Sequence, residues 1–108
     1  MNLRVKWTLV ALQSLSDVLE YTYEQFGERQ LKKINKRIYS LVLKILFFPK
    51  LGKPEPYVSK LIGVEFRSIL VVKKIKLYYT QSKDILFVEF IKNTNMDDDT
   101  MLKKLKIS

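Results

Sequence analysis

The chain of 108 residues has no cysteine and no histidine. Without cysteine there is no disulfide and no thiolate metal site. Without histidine there is no imidazole acid–base chemistry, no Ser-His-Asp triad and no common zinc-hydrolase ligand set. Catalysis by this chain has only Lys, Arg, Tyr and carboxylate side chains to draw on. Glycine is scarce as well. Gly27, Gly52 and Gly63 lie far apart, which excludes the clustered glycines of a phosphate-cradling loop. Long apolar runs are missing too. The longest, Leu41 to Phe48, is interrupted by Lys44 and is far too short to span a bilayer. The first residues, Met1 to Trp7, alternate apolar with polar instead of forming the apolar core of a signal peptide. We therefore expect a soluble cytoplasmic protein of one domain, residues 1–108, with no cofactor, no bound metal and no membrane partner.

Acidic residues are the minority charge. The chain carries 20 Lys and Arg against 11 Asp and Glu, for a net charge of +9. The excess is uneven: −1 over residues 1–27, +7 over 28–60 and +3 over 61–108. A patch of this kind attracts nucleic acid, an acidic protein or an anionic surface. An ordinary solubilising face would show the same count.

Patterning predicts the elements. Leu3, Val5 and Trp7 alternate with Arg4 and Lys6 as in a half-buried strand. Thr8 can cap a first helix, whose apolar stripe we read as Leu12, Leu15, Leu19 and Phe26, joined by Ala11, Val18 and Tyr23. Gly27 ends it. A second helix from Glu28 has Leu31, Ile34, Ile38, Leu41, Ile45 and Phe48 spaced by three and four, and Pro49 stops it. Residues 50–57 read as a loop held extended by Pro54 and Pro56. Strands are predicted at about 64–72, 74–80 and 85–92, with turns at Lys73-Lys74 and Ser82-Lys83-Asp84. Met101 to Ile107 predicts a last short helix capped by Asp97, Asp98 or Asp99. The implied class is α+β in the order β-α-α-β-β-β: an antiparallel sheet with a helical hairpin packed on one face and the first strand at one edge.

Arg67 is the most conspicuous single residue. It lies within Val64–Val72, a run that otherwise reads as a strand near the core. A guanidinium there needs an anion or a groove, because it cannot lose its charge. Lys50, Lys53, Lys60 and Lys92 are the other basic candidates, expected to gather with Arg67 around one open face of the meander. Tyr57, and one of Tyr78 and Tyr79, are the aromatic candidates for that face, since neighbouring strand residues point to opposite sides. The aspartate run fails as a calcium loop. Asn95, Asp97 and Asp99 match its first ligands, but Thr100 stands where glycine is needed and Lys106 where glutamate is needed.

An ordered set of features resembles the RelE/ParE superfamily of toxins from bacterial toxin–antitoxin modules. It comprises Val5-Lys6-Trp7-Thr8 with Ala11; Leu15, Val18, Leu19 and Tyr21; Phe26-Gly27; Ile38 and Leu46; Pro49-Lys50-Leu51-Gly52; Phe66-Arg67-Ser68-Ile69-Leu70-Val71; Ile75 to Tyr79; Ile85 to Ile91; and the Asp-rich turn before Leu102. The resemblance implies a type II toxin that inhibits growth and is neutralised by a cognate acidic antitoxin, meeting operator DNA only through that antitoxin. It implies one of two targets. ParE-like members inhibit DNA gyrase. RelE-like members enter the ribosome and cleave mRNA without a metal, using Arg and Lys, often with a Tyr. Both kinds place an Arg where Arg67 stands. In the second case Arg67, Lys60, Lys92 and Tyr79 are the catalytic candidates; Lys50, Lys53, Tyr57 and Arg67 are the binding candidates. Many members carry an Arg shortly after the last strand, where this chain has Lys92-Asn93-Thr94-Asn95. Lysine supplies charge there but no bidentate fork. This departure, the Pro-x-x-Gly loop and the long second helix put the chain nearer the ParE-like side, with gyrase as the expected target.

Overall fold

A computed structural model describes residues 3–107; Met1, Asn2 and Ser108, included in the expected domain, lie outside them. β1 (Arg4–Trp7) leads into α1 (Leu9–Phe26), and a single residue, Gly27, separates α1 from α2 (Glu28–Phe47). The Thr8 hydroxyl accepts the Ala11 N–H at 3.0 Å, as expected of a cap. Gly27 has φ 87°, a conformation that favours glycine, and it serves both helices as a boundary. α2 buries Ile38, Leu41 and Ile45 of the predicted stripe together with Val42, whereas Phe48, the last predicted member, caps the helix and is exposed.

The buried stripe of α1 is rotated from the expected one. It consists of Val10, Ala11, Ser14, Leu15, Val18 and Thr22, while Leu12 and Phe26 are exposed. Two hydroxyl residues disguise it. Ser14 donates to the Ala11 carbonyl and accepts the Ile91 N–H at 2.9 Å, and Thr22 donates to the Val18 carbonyl. Their polar atoms are satisfied, so burial is tolerated.

β3 (Arg67–Val72), β4 (Ile75–Ser82) and β5 (Ile85–Asn93) form the predicted antiparallel meander. Two residues, β2 (Lys53–Pro54), extend it beyond β3, with the proline on an edge strand where its missing N–H costs little. The sheet order is β1-β5-β4-β3-β2. β1 lies at an edge as predicted, but it joins β5 in parallel, so the sheet is antiparallel from β2 to β5 and mixed at one side. The helical hairpin, a crossover, allows that geometry.

The α1–α2 hairpin packs on the face that bears Leu77, Tyr79, Leu86 and Val88. The opposite face is covered by two short helices. α3 (Pro56–Ile62) brings Val58, and α4 (Asp98–Ile107) brings Met101 and Leu102, onto Phe66, Tyr78 and Phe90. α3 begins inside the predicted 50–57 loop and continues through residues for which no element is predicted. Pro56 is its first residue, where proline is well tolerated, and Gly63 closes it at φ 95°. Asp97 accepts the Thr100 N–H at 2.8 Å at the start of α4. Among the described residues no helix is long and apolar enough to cross a membrane.

A bulge interrupts the β4–β5 ladder between Tyr78 and Tyr79. It holds Glu89, whose carboxylate accepts the Thr80 hydroxyl at 2.7 Å. Burial raises the Glu89 pKa above its ordinary 4.5, and the Thr80 bond only partly opposes this. Folding thus favours the protonated acid. The stability linked to this group is complete below pH 4.5 and is lost as pH rises through the folded value. Glu89→Gln is therefore expected to raise the thermal midpoint at about pH 7, with the difference vanishing at about pH 4; an unchanged midpoint at neutral pH would contradict the assignment.

Candidate functional site

The α2–β2 connection is fastened to the end of the sheet by two side chains. Tyr79, almost fully buried, donates its hydroxyl hydrogen to the Pro49 carbonyl at 2.7 Å and accepts the Gly52 N–H at 2.8 Å. Arg67, opposite Tyr79 in the β3–β4 register, donates from Nη1 to the Gly52 carbonyl at 2.7 Å. The peptide groups on both sides of Gly52 are thus gripped. A Cβ at this position would lie 2.7 Å from the Tyr79 hydroxyl and 2.8 Å from the Ser68 carbonyl oxygen, so no larger residue fits without displacing backbone. Burial pushes the Tyr79 pKa up, opposed by the Gly52 N–H and the Arg67 charge.

Arg67 also places Nε 3.7 Å from the Glu65 carboxylate, and its side chain is only 16% exposed. Around it opens a cavity of about 180 Å3 lined by Pro49, Lys50, Glu65, Tyr79, Thr80, Gln81 and Lys83 as well as Arg67. The expected hollow beside Arg67 is therefore present, with Lys50 at its rim.

The remaining basic candidates are not gathered there. Lys53 is exposed on β2, opposite Ser68. Lys60 is exposed on α3 and lines a neighbouring shallow hollow with Pro54, Pro56 and Glu65. Lys92 stands on the opposite face of the sheet: it pairs with Lys76, which alternates with Leu77 and Tyr79 along β4. It is buried, and its ammonium contacts Asp98 of α4 at 2.7 Å. The expected common face thus divides in two, because Arg67 and Lys92 sit at strand positions of opposite parity.

The second face carries a closed polar cluster. The Ser68 hydroxyl donates to Glu55, Lys76 lies 3.4 Å from the same carboxylate, and the Lys76 and Lys92 ammonium groups each lie 5.7 Å from the Tyr78 ring. Burial, chiefly, raises the Tyr78 pKa to about 12. Tyr57 is exposed on α3, and its hydroxyl donates to Asp99 at 2.9 Å, which raises its pKa. Thr94 closes the β4–β5 ladder by donating its N–H to the Lys74 carbonyl.

Two contributors to the Arg67 cavity were not among the sequence candidates, Gln81 and Lys83. Lys83 sits in the β4–β5 turn at φ 55°, the one positive-φ non-glycine among the described residues. The residue order carries no signal for this, because Ser82-Lys83-Asp84 reads as an ordinary turn until its φ is known.

A family model described as the ParE toxin of the type II toxin-antitoxin system, parDE, matches residues 5–97. The chain therefore belongs to the ParE toxin family. No curated protein matches it. Among solved structures, a chain of the "Chromosomal ParDE TA system from P. aeruginosa" is similar to it with a TM-score of 0.67 and 18% identity, over 84% of this chain and 95% of that one. At that identity the likeness speaks for the fold, which agrees with the architecture expected from the RelE/ParE resemblance.

Two substitutions test the fastening. Gly52→Ala and Tyr79→Phe are each expected to lower stability by about 1–3 kcal/mol, the first by overpacking and the second by leaving the Gly52 N–H and Pro49 carbonyl without their partner. Because both act on one contact, the double variant should lose less than the sum. Urea unfolding measures all three; wild-type stability in Gly52→Ala would refute the contact.

Proposed function

We propose that this ParE-family toxin arrests growth by binding and inhibiting DNA gyrase, and that an acidic antitoxin holds it inactive until released. One observation carries the choice of binding over strand cleavage: three of the four candidates for phosphoryl chemistry already hold protein contacts, and the fourth, Lys60, lines a hollow separate from the Arg67 cavity. Arg67 is tied to the Gly52 carbonyl, Lys92 to Asp98, and the Tyr79 hydroxyl is used as both donor and acceptor. A nuclease reading needs a base for the 2′-hydroxyl proton placed beside a guanidinium that meets the developing charge. Here Arg67 and Tyr79 hold the 49–52 connection in place, and the exposed Lys50 and Lys83 beside it suit recognition of an acidic partner. The departure at Lys92-Asn93-Thr94-Asn95 supports the same reading.

The antitoxin reading rests on family membership and on surface chemistry. The net charge of +9 favours rapid encounter with an acidic chain. The hairpin leaves Leu12 and Tyr23 of α1, and Tyr39 and Leu43 of α2, more than two-fifths exposed, an apolar surface of the kind an amphipathic helix covers.

Purified protein is expected to inhibit supercoiling of relaxed plasmid by gyrase and to leave mRNA intact in a translation extract. Arg67→Ala should weaken the inhibition about tenfold, since the cavity wall and the 49–52 connection go together. Co-expression with a small acidic reading frame next to the gene should restore growth and yield a complex. Normal supercoiling accompanied by ribosome-dependent mRNA cleavage would replace this reading with the RelE-like one.

A further inference from the structure

We infer that the Arg67 cavity and the aromatic shelf beside it form one binding site for an acidic peptide segment, one that places an apolar side chain next to a carboxylate. This deepens the proposed function and rests on it only for the identity of the protein that supplies the segment.

Charge, size and continuity support the site. Lys50, Arg67 and Lys83 line the cavity against a single carboxylate, Glu65. Nη1 and Nε of Arg67 are occupied by Gly52 and Glu65, which leaves Nη2 without a protein partner among the described residues. The volume of about 180 Å3 falls below the roughly 300–1,000 Å3 of pockets that enclose drug-sized ligands, so it suits one acidic side chain rather than a whole nucleotide. Pro49, Lys50 and Gln81 line both this cavity and an open hollow whose other walls are Phe47, Phe48 and Leu51. The two phenylalanines are 79% and 66% exposed at the end of α2. Aromatic side chains held this far out of a core mark contact surfaces.

Lys83 supplies an independent observation. At φ 55° it occupies a backbone conformation that glycine or asparagine adopts more cheaply. Strain of this kind collects at functional positions. Lys83 lines the cavity together with Pro49 and Lys50, so the turn donates an amine that a stability-optimal residue would not. A phosphate backbone fits the site less well than a peptide, because Glu65 stands on the wall and repels a continuous run of anions.

The test is fluorescence anisotropy on the purified chain, with a short labelled peptide alternating leucine and glutamate as probe. Replacing glutamate by glutamine, or leucine by alanine, in the probe should each weaken binding about tenfold. Lys83→Asn and Lys50→Gln should do the same, whereas Lys6→Gln, an equal loss of charge on β1, should not. Lys83→Asn should keep or raise the thermal midpoint, which separates a lost ligand contact from a damaged fold. Equal weakening by Lys6→Gln would reduce the effect to bulk charge and overturn the site. Tighter binding of single-stranded oligothymidylate than of the peptide would reassign the surface to nucleic acid. Indifference to alanine in the probe would remove the shelf from the site. None of these readouts involves gyrase, so a failure of gyrase inhibition with peptide binding intact would strike the proposed function alone.

Discussion

The grip on the Gly52 peptide groups is the contact on which the Arg67 cavity and the end of α2 depend. Tyr79 and Arg67 reach it from adjacent strands, one holding its N–H and the other its carbonyl. The connection between α2 and the sheet has no regular secondary structure before Lys53, and its polar backbone needs partners near the core. By supplying them from a phenol and a guanidinium, the fold fixes Pro49 and Lys50 as one wall of the cavity. It also fixes where α2 ends and thus where Phe47 and Phe48 protrude. Arg67 has two tasks with a common origin: a charge that cannot be neutralised is retained near the core because carbonyl dipoles solvate it.

Charge on the other face is handled differently. Lys76 and Lys92 are paired with Glu55 and Asp98 and flank the Tyr78 ring. Such a network costs desolvation, and removal of one member leaves a buried charge uncompensated. It links α3, which follows Glu55, and α4, which begins at Asp98, to the middle of the sheet. The two faces therefore divide the basic residues into a structural set and an outward set. The net charge of the chain overstates how many cations are available to a partner.

The sequence made legible those elements whose signals are local and redundant. α2 announced itself through an unbroken apolar period, α1 through its Thr8 cap and Gly27 stop, and β4 and β5 through dense β-branched and aromatic runs. What escaped was set by tertiary context. The rotation of α1 depends on Ser14 and Thr22 finding backbone acceptors, which no hydropathy count reveals. α3 has only seven residues, and Pro56 reads as a loop signal until it is placed at the first helical position. The parallel docking of β1 depends on where the hairpin returns the chain. At the site, Arg67 and Lys50 were readable as a charged strand and loop, and their cavity is there. Lys92 was misgrouped because strand parity relative to Arg67 depends on register across β4. Lys83 was passed over because its turn looked ordinary, and only the sign of φ sets it apart.

The pairing of β1 with β5 has a consequence for biosynthesis. Residues 4–7 find their hydrogen-bonding partners in residues 85–88, so the first strand pairs with the last one. A nascent polypeptide can form the helical hairpin early, but its opening strand stays unpaired until residues 85–88 have left the ribosome tunnel. Completion of the sheet is consequently a late event, and a product terminated before β5 would carry an unsatisfied strand edge that invites aggregation or proteolysis.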